Sequence, residues 1–175
     1  MPYDFDEIIP RRGTNCLKHD FAKERGKPEG LAPLWVADLD FRAPDEVVDA
    51  LVRASRHGVY GYTEVKEDYA RTVADWFDRR LGWRPAPEHL VKVPGVVYAL
   101  AMAVRAFTEP GDAVIIQTPV YYPFSHCVTD NRRRLVRNPL IRGLDRYMID
   151  FDDLEKKIVA EKAKMLLLCS PHNPV

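Results

Sequence analysis

Residues 89–124 read HLVKVPGVVYALAMAVRAFTEPGDAVIIQTPVYYPF, and this stretch alternates short strand-like runs with a long apolar run. A strand is predicted at His89–Val93, before the Pro-Gly pair that breaks the pattern. The run at 96–108 is almost entirely apolar, which predicts a buried helix. The next run, Ala113–Gln117, is apolar and short, as strands are.

The same alternation continues toward Val175. A helix is predicted at 122–131, a strand at Leu135–Ile141, an amphipathic helix at 151–162 and an apolar strand at Met165–Cys169. Short apolar strands between helices are typical of a parallel sheet covered on both faces. The sequence therefore predicts an α/β large domain over 89–175 with a mostly parallel sheet of four strands.

The first half of the chain lacks this alternation. Residues 1–43 predict an irregular arm with one short strand, Leu34–Val36. A helical segment is predicted at 44–88, with helices at 44–57 and 66–81 that each end at a glycine.

Composition excludes several classes of protein. The chain has 26 basic and 26 acidic residues, so no overall positive field favours nucleic acid. No apolar run approaches the roughly 18 residues of a membrane span, and the first residues lack the apolar core of a secretory signal. Three widely spaced cysteines without a CxxC pattern favour reduced thiols. We therefore expect a cytoplasmic protein without nucleic-acid or membrane partners.

Two segments could hold a ligand through backbone or ring atoms. Gly95 precedes a helix whose first N–H groups are free to bind an anion. This junction predicts either a phosphate-binding site or an ordinary strand-to-helix turn. Neither of the glycine-rich nucleotide motifs is present. Tyr121 and Tyr122 follow a strand and could present a ring face to a planar ligand, or pack under the loop.

The remaining polar candidates are less specific. Asn173 follows a strand and could donate a hydrogen bond to a ligand oxygen, whereas the neighbouring His172 is expected to be structural. Asp38 and Asp40 could form a carboxylate pair or part of a metal site, but we expect Asp38 to cap a turn and Asp40 to be solvated. The run Arg132–Arg134 is expected to be a solvated helix end.

Seven segments, in order along the chain, fit one known family pattern: 11–15 (RRGTN), 34–41 (LWVADLDF), 57–63 (HGVYGYT), 94–97 (PGVV), 107–112 (FTEPGD), 117–124 (QTPVYYPF) and 171–175 (PHNPV). Together they resemble the N-terminal part of pyridoxal-phosphate (PLP) enzymes of the aspartate-aminotransferase fold. More narrowly, they resemble the MalY/PatB group of cystathionine β-lyase-like proteins. The resemblance covers nearly the whole chain, which we therefore expect to be the N-terminal part of a larger protein.

The resemblance implies roles in binding the cofactor. The backbone N–H groups of Val96 and Val97, after Gly95, would hold its phosphate. The ring of Tyr121 would stack on its pyridine ring. Asn173 would hydrogen-bond its 3′ oxygen.

The resemblance also implies contacts with substrate and with a second subunit. Asn173 and the backbone of Ala37 would lie near the substrate carboxylate. Tyr62 would reach the phosphate of the neighbouring subunit's cofactor, which implies a homodimer with shared sites.

The implied reaction is C–S β-elimination on cystathionine or another cysteine S-conjugate, giving a thiol, pyruvate and ammonia. None of the nine lysines matches the family's Schiff-base lysine, so the 175 residues are expected to contain no catalytic residue and to be inactive alone. Two alternatives stay open: an aminotransferase of the same fold, and a non-catalytic interaction or regulatory chain.

Overall fold

A computed structural model describes residues 3–28 and 30–175. The chain forms two compact units, Met1–Glu64 and Val65–Val175. The boundaries predicted after residues 43 and 88 stay predictions. Within the described residues, no helix combines the length and the apolar character needed to cross a membrane.

The described residues of the first unit contain two helices, α1 (Leu17–Asp20) and α2 (Asp45–His57). Helix α2 begins after Pro44 with two acidic residues in its first turn and ends at Gly58, whose φ of 73° favours glycine. This agrees with the helix predicted at 44–57. The strand predicted at Leu34–Val36 is wrong: the segment is irregular, because no neighbouring strand supplies its backbone with hydrogen bonds.

The second unit alternates helices with short strands. Its elements in chain order are α3 (Glu67–Leu81), a 3₁₀ turn (Pro87–His89), α4 (Val96–Phe107), β1 (Ala113–Thr118), α5 (Pro123–Thr129), β2 (Arg134–Pro139), β3 (Ile141–Arg142), β4 (Tyr147–Met148), α6 (Phe151–Glu161) and β5 (Met165–Leu167).

Three of the four predicted strands form one parallel sheet in the order β2-β1-β5. The prediction of the fourth strand, His89–Val93, is wrong. Its first residue closes the 3₁₀ turn, and the rest pairs with no strand of the described chain, leaving Val91 82% exposed. The β3–β4 hairpin is a separate antiparallel pair that the sequence analysis did not predict.

Helices cover both faces of the sheet, as predicted. On one face, Val114 and Ile116 of β1 pack in a cluster with Val104 of α4 and Phe124 of α5. On the other face, Ala113, Ile115 and Val136 form a smaller cluster against Leu154 of α6. Alternate residues of the central strand β1 therefore enter opposite layers, which fixes its register.

Helix α4 is not buried all round, contrary to the prediction. Only Val104 is buried, while Val96 and Phe107 at its two ends are about three-quarters exposed. The sheet and α5 cover one face of the helix, and no other described element of this unit covers the opposite face.

The basic run at 132–134 also differs from the prediction of a solvated helix end. Arg133 donates from Nε to the Thr108 hydroxyl at 2.9 Å and from its other nitrogens to the Thr108 and Asn131 carbonyls. Arg134 begins β2 and pairs with Glu161 of α6. Only Arg132 is exposed without such a contact.

Candidate functional site: the carboxyl edge of the sheet

The three parallel strands end at one edge of the sheet, with Thr118 of β1 beside Pro139 of β2 and with β5 ending at Leu167. Ligands of open α/β folds bind outside this edge. Two loops leave it from neighbouring strands: residues 119–122 after β1 and 168–175 after β5.

A hydrogen bond joins the two loops directly, since the backbone N–H of Tyr121 donates to the carbonyl of Asn173 at 2.8 Å. The prediction that both residues lie at the carboxyl edge is therefore confirmed. The side-chain amide of Asn173 is exposed and forms no hydrogen bond with the described part of the chain. The amide is thus free to bind a ligand oxygen.

The two tyrosines do not pack under their loop. Tyr121 is 40% exposed and Tyr122 is 61% exposed, with their ring centroids 5.2 Å apart in an edge-to-face arrangement. Of the two alternatives left open by the sequence, the structure favours the accessible ring face.

His172 and Cys169 hold the loop after β5. The His172 Nε2 lies 2.7 Å from the carbonyl oxygen of Pro119, which agrees with the expected structural role. The N–H of Asn173 donates to the Cys169 sulfur at 3.4 Å, and the thiol donates to the Pro171 carbonyl at 3.5 Å.

The first turn of α4 contacts α5, the helix that follows the loop after β1. The Cys127 thiol of α5 donates to the carbonyl of Val97 at 3.5 Å. No side chain caps the helix, so the N–H groups of Val96 and Val97 are unpaired within the described chain. Such groups attract anions through hydrogen bonding and the helix dipole.

Gly95 precedes this turn, and its predicted role in binding phosphate stays a prediction. A β-carbon placed on Gly95 would meet nothing within 4 Å, and its backbone is extended, so no local strain requires glycine. The side of Gly95 on which a β-carbon would lie is therefore open.

A buried polar network behind the edge was not predicted. Gln117 and Asn138 are 2% and 0% exposed, and the Gln117 amide donates to Asn138 Oδ1 at 3.3 Å. Asn138 donates to the Asp153 carboxylate at 2.8 Å, and Lys157 donates to the same oxygen at 2.7 Å. These two donors, Lys157 first, lower the pKa of Asp153. A polar residue in an otherwise apolar strand, as at Gln117, is the signal that could have indicated the network.

The other two predicted site residues belong to the first unit. Tyr62 is fully exposed in the glycine-punctuated segment after α2, and Ala37 is exposed in the irregular segment before it. Their expected contacts with cofactor and substrate stay predictions.

The two carboxylates of the acidic turn beside Ala37 are exposed and form ion pairs with basic residues of the same unit. Arg11 binds both the Asp38 and the Asp40 carboxylates, and Lys18 donates to Asp40 Oδ2 at 2.9 Å and to the Asp38 carbonyl at 3.0 Å. The Lys18 and Arg11 hydrogen bonds hold the pKa of Asp40 far below its usual value, and Arg11 lowers that of Asp38. Asp40 is exposed, as expected, but it also forms ion pairs that were not predicted, because its partners lie more than 20 residues away in sequence. Within residues 3–28 and 30–175, no three metal-ligating side chains cluster.

The sequence model of the family described as aminotransferase class I and II matches residues 33–175. The chain belongs to that family. It is 44% identical over 171 residues to cystathionine β-lyase PatB of Bacillus subtilis (strain 168), covering 98% of this chain and 44% of PatB. It is 31% identical to protein MalY of Escherichia coli (strain K12), with the same two coverages.

A solved structure agrees with these relatives. The PLP-bound C–S lyase from Staphylococcus hominis superimposes with a TM-score of 0.89 at 36% identity, over 99% of this chain and 44% of that one. The predicted resemblance to the MalY/PatB group and the predicted fold are confirmed. The chain spans about 44% of the length of these relatives.

Proposed function

We propose that this chain supplies the phosphate-binding and ring-binding contacts of a PLP-dependent C–S β-lyase. The observation that carries the proposal is the hydrogen bond between Tyr121 and Asn173 at the carboxyl edge. It brings an accessible aromatic ring and a free amide together, near a helix terminus with unpaired N–H groups.

Each feature fits one part of the cofactor. Val96 and Val97 offer two N–H donors to the phosphate, and the open space at Gly95 gives the phosphate access to them. The Tyr121 ring face fits a flat pyridine ring. The Asn173 amide can donate to the 3′ oxygen or to a substrate carboxylate.

When bound, PLP supplies an electron sink that makes the α-proton of an amino-acid substrate acidic. The residues of this chain do not move that proton, since none of the nine lysines matches the family's cofactor lysine. These residues would bind and orient the cofactor: the α4 terminus would hold its phosphate, the Tyr121 ring would contact its pyridine ring, and the Asn173 amide would donate to its 3′ oxygen.

The substrate we propose is an amino acid with a thiolate leaving group on its β-carbon, such as cystathionine. Elimination followed by hydrolysis converts this cysteine S-conjugate and water into a thiol, pyruvate and ammonia. The backbone at Ala37 would contact the substrate carboxylate. Tyr62 would reach the cofactor phosphate of a second subunit, so the working enzyme would be a homodimer in the cytoplasm.

The names of the similar proteins support a lyase more than an aminotransferase. The relative at 44% identity is named a cystathionine β-lyase, and the solved structure at 36% identity is a C–S lyase. The fold alone does not separate the two activities.

The test uses the protein purified from the cells that produce it. We expect a visible absorption band of bound PLP, and pyruvate release from L-cystathionine without an added keto acid. If the protein instead transfers the amino group and strictly requires a keto acid, the proposed lyase activity is wrong and the aminotransferase alternative is supported. The absence of both the band and the activity would favour the non-catalytic alternative.

Tyr121 offers a matched pair of variants for the binding site. We expect Tyr121→Ala to raise the PLP dissociation constant about tenfold, because the stacking surface is lost. Tyr121→Phe keeps the ring face and should bind PLP like the parent protein. Equal affinity in all three proteins, measured by equilibrium dialysis, would remove Tyr121 from the site.

A further inference from the structure

Two hydrogen bonds of opposite direction connect the loops after β1 and β5. The Tyr121 N–H of the first loop donates to Asn173 of the second, and the His172 Nε2–H of the second donates back to the Pro119 carbonyl at 2.7 Å. The ladder between β1 and β5 ends at the Ile116–Leu167 pair. Beyond that pair, in the described chain, these are the only two hydrogen bonds between the loops.

The base of the second loop is held independently of His172. Cys169 packs against the larger apolar cluster, and its sulfur accepts the N–H of Asn173. The loop end nearest the sheet is therefore anchored by packing. The distance of the Asn173 side chain from the first loop depends on the two cross-loop bonds.

The position of the imidazole relative to the proposed cofactor contacts is specific. His172 immediately precedes Asn173, and its acceptor Pro119 lies two residues before Tyr121. A bond between these flanking positions prevents the two loops from moving apart. The backbone bond alone would leave them free to rotate about one contact.

We propose that His172 is a positioning residue of the cofactor site, holding the Tyr121 ring and the Asn173 amide at a fixed separation. This inference rests on the proposed function, because it assumes that these two groups contact PLP. In this proposal His172 is not itself a contact of cofactor or substrate. Its imidazole acts through the Pro119 carbonyl.

The variants separate positioning from simple loop stability. In His172→Gln the side-chain amide nitrogen has nearly the same reach as Nε2 and can still donate to Pro119. In His172→Asn the amide is one bond shorter and cannot reach. His172→Ala removes the donor entirely, and His89→Ala, an exposed histidine at the end of the 3₁₀ turn, is the matched control.

The experiment removes PLP from each purified protein and titrates it back. It measures the PLP dissociation constant, the position of the visible absorption band and the far-ultraviolet circular dichroism. The absorption band reports on hydrogen bonding to the 3′ oxygen, which a purely structural role of His172 would not change. We expect H172A and H172N to raise the dissociation constant about tenfold, the loss of one well-placed hydrogen bond, and to shift the band. H172Q and H89A should match the parent protein.

Two different results overturn different claims. Parent-like affinity and absorption in both H172A and H172N would overturn the positioning role while leaving the proposed function intact. A parent protein that binds no PLP would overturn the proposed function and this inference with it. If H172A does not fold, the comparison of H172Q with H172N decides the question.

Discussion

The two units of this chain are stabilised by different forces. In the first unit, the one buried residue among those described is a lysine, Lys18, held by Asp38 and Asp40. In the second, the fully buried residues include Val114, Ile115 and Ile116 of β1, and apolar clusters lie on both faces of the sheet. The described contacts within the first unit are therefore mainly ion pairs, which respond to pH and salt, and those within the second are mainly apolar.

The largest expected effect is in the second unit. Ile115→Ala removes a side chain that is fully buried in the centre of the sheet, and we expect it to lower the free energy of unfolding by about 2–5 kcal/mol. Urea denaturation followed by circular dichroism measures this loss. Val159→Ala, at a 71% exposed position on α6, should change stability by less than about 0.5 kcal/mol. Equal losses in both variants would contradict the apolar core described for this unit.

A smaller and more local effect is expected in the first unit. Lys18→Met keeps the aliphatic bulk but removes the donor to Asp40 and to the Asp38 carbonyl. We expect limited proteolysis within residues 3–64 to become about tenfold faster, since a buried polar contact is lost. Lys27→Met, at an exposed position, is the control. Faster cleavage within residues 65–175 as well would show that the two units do not differ as described.

The smallest effect is a difference in acid sensitivity between the units. The pKa of Asp40 is lowered in the folded chain, chiefly by Lys18 and then by Arg11. A lowered folded pKa stabilises the fold fully above the ordinary aspartate pKa of about 3.9, and the contribution is lost as the pH falls below that value. We expect the first unit to lose protection before the second between about pH 4 and pH 2.

Hydrogen exchange read by mass spectrometry separates the units in this acid range. Asp153 gives the second unit a weaker dependence of the same sign, because Lys157 and Asn138 lower its pKa as well. Adding salt at neutral pH should weaken the exposed Arg11 pairs in the same unit that acid affects first. Simultaneous loss of protection in both units would contradict the comparison.

The sequence predicted the elements whose signals are local. The acidic first turn of α2 and the glycine at position 58 mark both ends of that helix, and the apolar runs of β1 and β5 mark buried strands. The site residues Tyr121 and Asn173 were predicted at one edge for the same reason, since the carboxyl ends of parallel strands meet there.

The predictions that were wrong or incomplete concern residues whose partners are distant in sequence. His89–Val93 has the composition of a strand, but a strand also needs a neighbour, and composition does not supply one. The partners of Asp40 are 22 and 29 residues away, so its ion pairs could not be derived from the residues around it. Helix α4 was expected to be buried because its residues are apolar, yet burial depends on what packs against each face.

The bridge between Pro119 and His172 also has a consequence for the order of folding. These residues are 53 positions apart, while β1 and β2 are joined by a much shorter connection. At a synthesis rate of about 5–20 residues per second, His172 is synthesised roughly 3–10 s after Pro119. The β1–β2 pair can form in that interval, since short loops close at the lowest entropic cost. The two loops of the proposed PLP site therefore meet after the β1–β2 pair, and a nascent chain paused before residue 172 would carry a formed β1–β2 pair without the contact between these loops.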